Sequence, residues 1–140
     1  MQSKVYTKQH AEKGTWEQLP KIEVFPNAYP PEAKGYKPYE IRIDMPEFTS
    51  ICPKTGLPDF GTITIRYYPD QWVAELKALK FYMNAYRNLG IFQENVINRV
   101  LRDFVQATKP IFCEVTGEFM PRGGLKTRIV ARHGHDIIKP

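Results

Sequence analysis

The hydrophobic period of the chain changes twice, and this constrains the fold more than any other feature. Tyr39, Ile41, Ile43 and Met45 alternate with Glu40, Arg42 and Asp44, and Ile63, Ile65 and Tyr67 repeat the alternation in TITIRYY. A period of two puts such side chains on one face of a β-strand. The period then lengthens. Trp72, Leu76, Leu79, Met83 and Tyr86 recur at spacings of four and three, and Phe92, Val96, Val100 and Phe104 recur at four until Pro110 stops the run. That is the stripe of an amphipathic helix. IFCEVTGEF and LKTRIVAR then return to alternation. The order predicts an α+β fold, an antiparallel ββααββ subunit with both helices on one sheet face. Four strands leave two open edges. Pairing of edges between subunits covers them and closes a ring, so an oligomer is expected.

At 140 residues the chain suits one domain. Residues 1–37 carry Pro20, Pro26, Pro30 and Pro31 without sustained periodicity. They read as an irregular N-terminal arm packing through Trp16, Leu19, Val24 and Phe25, with the folded domain over 38–140. No apolar run approaches the ~20 residues that span a bilayer, and the N-terminus has no signal-peptide apolar segment. Two cysteines make no disulfide framework, so a reducing cytoplasm is expected. No Cys/His cluster suggests a structural metal. His133 and His135 form an HGH that reads as a solvated tail. Twenty Lys and Arg against fifteen Asp and Glu give +5, which favours an anionic partner, a nucleic acid or a phosphate-bearing small molecule. A basic surface that binds nothing in particular fits the same count.

Three stretches carry candidate chemistry. In SICPKTGLPD, Pro53 pushes Cys52 toward an extended backbone, and Gly56 and Pro58 shape the turn after it. A cysteine becomes a nucleophile when a cation or base eases loss of its proton. Lys54 is the candidate cation, and Asp59 the candidate proton carrier if the loop folds back. The plainer reading makes Cys52 a small buried hydrophobe and Asp59 a turn residue. Cys113, on the apolar side of IFCEV, is a core residue on either view. In ELKALKFY, Lys77 and Lys80 share a helix face with Asn84 and Arg87, and no acid on that face compensates them. An external anion or simple solvation answers this. Glu94 opens the second helix, where the dipole favours it and where a carboxylate also suits a purine-like N–H edge. Arg122 beside Gly123 and Gly124 suits a phosphate-holding turn or a plain hairpin.

CPKTGLPDF, ELKALKFY, FQEN and PRGG together resemble the 7-cyano-7-deazaguanine reductases of the queuosine pathway, over about residues 39–132 and in their short, single-domain form. The resemblance implies a tunnelling-fold (T-fold) NADPH-dependent nitrile reductase, assembled as pentamer rings that stack into a decamer. It implies that Cys52 attacks the nitrile carbon to give a thioimide and that Asp59 carries protons to the nitrogen. Glu94 then holds the deazaguanine ring, with Gln93 beside it and Ala74, Glu75 and Leu76 lining the same pocket between subunits. Leu76, Lys77, Arg122 and Gly123 match NADPH-contacting positions. One departure is Gln93, where many members have His; glutamine hydrogen-bonds but supplies no proton near neutral pH.

Three other classes compete, one of them a zinc-dependent tunnelling-fold enzyme such as a GTP cyclohydrolase, which would need a cluster of His and Cys ligands where the sequence offers His10, His133 and His135. Amidino-transfer relatives use the same cysteine on a nitrile carried by transfer RNA but lack the lysine helix motif, so ELKALK argues for reduction. A non-catalytic nucleic-acid-binding module suits the charge, yet the sequence has no RNP-type aromatic motif, GXXG loop or zinc knuckle. No direct nucleic-acid contact and no membrane contact are therefore expected.

Overall fold

The computed structural model describes residues 7–139. A short helix α1 (Lys8–Ala11) and strand β1 (Val24–Pro26) lead into β2 (Ile41–Ile51) and β3 (Pro58–Tyr68). Then come β4 (Trp72–Ala74), α2 (Leu76–Asn84), a 3-10 turn at Ala85–Asn88, α3 (Gln93–Thr108), β5 (Phe112–Arg122) and β6 (Leu125–Gly134). The main sheet is antiparallel throughout, in the order β2-β3-β5-β6, so β2 and β6 are its edges. β1 and β4 form a separate two-stranded ribbon.

Alternation places Ile63, Ile65, Tyr67, Cys113, Val115 and Phe119 on one face, all buried. Leu79, Tyr82 and Met83 of α2 and Val96, Ile97, Val100 and Phe104 of α3 close over that face. Gly117 lets α3 approach, because a Cβ there would press into Ile97 and into the Phe119 ring. The other face is polar. The Thr64 hydroxyl donates to Asp44 at 2.6 Å, Arg132 pairs with Glu114 at 2.7 Å, and Arg66 reaches Glu40 at 2.8 Å and Asp136 at 3.2 Å.

Several expectations change. The first helix starts four residues after Trp72, which lies in β4; Trp72 and Leu76 are exposed, and the buried stripe is Ala78, Leu79, Tyr82 and Met83. Glu75 sets this start, accepting the backbone N–H groups of Lys77 at 2.6 Å and Ala78 at 3.0 Å. The arm is not wholly irregular. It supplies α1 and β1, buries Ile22 in the core, and is held by Arg99 through the Gly14 and Glu17 carbonyls, while Trp16 lies outside under Arg102. His133 and Gly134 end β6, opposite Cys113 and Phe112, so the HGH is only in part a tail, while all three of its residues are exposed as expected. The chain beyond it is anchored where Asp136 accepts from Tyr68 and Arg66. Among the described residues no helix is long and apolar enough to cross a membrane.

Candidate active site

The β2–β3 ladder runs past the strand ends into the cysteine hairpin. Ser50 faces Asp59 in register, and the Cys52 N–H donates to the Leu57 carbonyl at 2.9 Å. Cys52 and Asp59 are therefore diagonal neighbours across the pair, a relation that holds Cβ atoms roughly 7 Å apart. The hairpin closes where the Gly56 N–H donates to the Cys52 carbonyl at 2.8 Å, with Gly56 at φ +71. Only glycine adopts that angle without strain.

This turn aims donors at the sulfur. Burial pushes the Cys52 thiol up, but hydrogen bonds from the Thr55 hydroxyl and from the Thr55 and Lys54 backbone N–H groups outweigh it, and the thiol lies below its ordinary value. Asp59, a nearby negative charge, opposes them. Lys54, the candidate cation, contributes to this lowering through its backbone N–H. Thr55, three residues after Cys52, was not singled out, although Thr is a residue type that bonds back to its own turn. Cys113 contrasts: fully buried, its thiol is pushed up to about 12 by burial.

Asp59 is a strand residue rather than a turn residue, only 4% exposed, and Arg122 donates to it at 2.6 Å. Arg122 reaches it from the end of β5, opposite Leu125 across a two-residue turn of Gly123 and Gly124 at φ +55 and +83. Two positive φ angles make this an ordinary tight hairpin turn.

A second link forms on the outer side of β2. The Ile51 N–H donates to the Leu89 carbonyl at 3.0 Å, and the Ile91 N–H donates back to the Ile51 carbonyl at 2.9 Å. This parallel bridge fixes residues 89–91, just ahead of α3 with its half-buried Gln93 and exposed Glu94, against the strand residue that precedes Cys52. Ala74, Glu75, Leu76 and Lys77 are not brought there. The Ala74 N–H donates to the Tyr67 hydroxyl at 3.1 Å, at the far end of β3. At about 3.3 Å per residue, Ala74 lies on the order of 15 Å or more from Asp59.

Helix α2 and β2 enclose a groove of about 450 Å³ lined by Leu76, Lys80, Asn84 and Arg87 on one side and residues 43–49 on the other. Among the described residues Lys77, Lys80 and Arg87 form no ion pair within 4 Å, so the basic face is open to an anion. No group of three or more His, Cys, Asp or Glu side chains among those residues is arranged to hold a metal.

The α+β subunit, with two helices packed on one face of a four-stranded antiparallel sheet, has a solved counterpart in fold. The apo archaeosine synthase QueF-Like matches with a TM-score of 0.66 at 23% identity, over 71% of this chain and 97% of that one, a likeness of fold. Residues 58–137 match the family model described as QueF-like protein. The NADPH-dependent 7-cyano-7-deazaguanine reductase of Elusimicrobium minutum is 54% identical over 91% of this chain and 92% of its own. The protein of the same name from Chlorobium phaeovibrioides is 51% identical over 80% and 92%. This chain belongs to that reductase family.

Proposed function

We propose that this protein reduces the nitrile of 7-cyano-7-deazaguanine to 7-aminomethyl-7-deazaguanine with NADPH, a step of queuosine synthesis for transfer RNA, in the cytoplasm. The observation that carries the reading is the Cys52 thiol, held low by three hydrogen bonds and diagonal to Asp59. It stands in a chain about half identical to proteins of that name.

Cys52 adds to the nitrile carbon, forming a C–S bond while one C–N π bond becomes an N–H. Asp59 takes that proton from the Cys52 thiol and passes it to the nitrogen. The product is a thioimide, whose C=N accepts hydride more readily than the nitrile. Bound NADPH supplies hydride, and two equivalents are needed. After the first reduction the C–S bond breaks, Cys52 leaves as thiolate, and the imine left behind is the acceptor for the second. Two hydrides and two protons convert nitrile to amine. Glu94 and Gln93 hold the ring, and Asp59 with water carries the protons, because Gln93 carries none. Leu76, Lys77, Arg122 and Gly123 hold the cofactor. The unpaired basic face of α2 fits its phosphates, and Gly123 stands in open space.

The two halves of this site lie far apart along β3 of one chain. We therefore read the pocket as shared, with Ala74, Glu75, Leu76 and Lys77 of one copy meeting Cys52 and Asp59 of another. Edge strand β2, outside its bridge at Ile51, and edge strand β6 pair between subunits of a ring, pentamers stacked into a decamer on the family pattern. The test is NADPH oxidation on adding the nitrile, with product mass. Two NADPH per aminomethyl product, lost in Cys52→Ala, is the expected result. A covalent mass on Cys52 without oxidation moves the function to amidino transfer, and neither signal overturns the reading.

A further inference from the structure

Ser50 is fully buried, and its hydroxyl has no hydrogen-bond partner. A buried, unpaired hydroxyl is costly and rare in folded proteins. Its place in the fold is specific. It stands directly across the β2–β3 ladder from Asp59 and two residues before Cys52. Paired residues on one sheet face have Cβ atoms about 5 Å apart, within reach of a hydrogen bond after one side-chain rotation. Asp59 is held instead from the other side by Arg122. Arg122 is free to leave: its side chain is 36% exposed, and it is followed by two glycines with open space around them.

We propose that Ser50 is the alternative partner of Asp59, donating to its carboxylate when Arg122 turns to an anionic ligand. Asp59 then has two settings. At rest it is bound to Arg122. With Arg122 withdrawn, the Ser50 hydroxyl holds the carboxylate beside Cys52 and leaves its second oxygen to take the thiol proton and pass it to the reacting nitrogen. Ser50 is a positioning residue, since full burial keeps it from touching substrate itself. The proposal rests on the nitrile-reductase reading for its catalytic meaning, while the switch between partners is a property of the folded chain alone.

The experiment is a set of thermal melts at fixed protein concentration, joined to kinetics. Ser50→Ala in the wild-type background removes an unpaired group and leaves the melting point unchanged or slightly raised. In the Arg122→Ala background Asp59 relies on Ser50, and the same substitution lowers the melting point by roughly 3–6 °C. Equal effects in the two backgrounds overturn the proposal, whatever the activity. With active enzyme, Ser50→Ala lowers kcat roughly ten- to hundredfold at unchanged KM for the nitrile, and Ser50→Thr restores it. Wild-type turnover in Ser50→Ala also overturns it. An inactive wild type defeats the nitrile-reductase reading, and the melts still decide the switch.

Discussion

Replacing Thr55 by Val removes one of three hydrogen bonds to the Cys52 sulfur, together with the acceptor of the Leu57 N–H at 3.2 Å, and leaves the hairpin's volume almost unchanged. A hydrogen bond to an ionised group contributes about 1.5–3 kcal/mol. Cys52 is only half-buried, so solvent screening brings the figure to about 1 kcal/mol. That corresponds to about a fivefold fall in thiolate at any pH below the titration midpoint. The more basic thiolate is intrinsically the better nucleophile, which returns about half the loss on a logarithmic scale. The net expectation is a two- to threefold slower reaction near neutral pH, with the midpoint moved to higher pH. The assay is the pH dependence of the reaction with a dithiodipyridine probe; buried Cys113 stays silent as an internal control. Asp59→Asn works in the opposite sense. It removes the negative charge that opposes the thiolate and frees the Arg122 cation, so the midpoint moves to lower pH. An unshifted midpoint in Thr55→Val, or an upward shift in Asp59→Asn, would refute this account of the thiol.

Three more perturbations probe the scaffold. Gly117→Ala drives a methyl into Ile97 and the Phe119 ring, so the melting point should fall by roughly 3–9 °C as α3 lifts from the sheet; an unchanged melt counts against close approach there. Arg99→Met removes the donor shared by the Gly14 and Glu17 carbonyls and Asp103, at a cost of about 2–4 kcal/mol. Trypsin should then cut after Lys13 and Lys21 well before it cuts the sheet, and an arm as resistant as wild type would contradict the role given to Arg99. Asp136 gives the acid limb of stability. Burial pushes its carboxyl up, but the Tyr68 hydroxyl, the Lys139 N–H and Arg66 hold it at about 2, below its ordinary value. A lowered folded-state pKa stabilises above the unfolded value and is lost as pH falls toward 2. Asp136→Asn should flatten the fall of the urea midpoint between about pH 4 and pH 2, and an identical acid limb would refute it.

The sequence by itself determined the class of fold, because a period of two or of three to four is a local property of side-chain direction. It placed the core face of β3, the stripe of α3 and the core thiol of Cys113. It also offered Cys52, Asp59, Lys77, Glu94 and Arg122 as candidates by residue type and spacing, and Glu75 and Gln93 through the resemblance alone. Where α2 begins was beyond it, since Trp72 continues the helical spacing and only the pairing of β4 with β1 takes it away. The arm's partners were equally hidden, because Arg99 reaches across most of the chain to its carbonyls. Tertiary structure alone decided what each site residue touches. Strand register set Asp59 diagonal to Cys52 and opposite Ser50, the β5–β6 hairpin delivered Arg122 to Asp59, and the Ile51–Gly90 bridge tied the segment ahead of α3 to the end of β2. Such contacts join residues distant in the chain, and their free energy comes from burial and pairing that no local window contains.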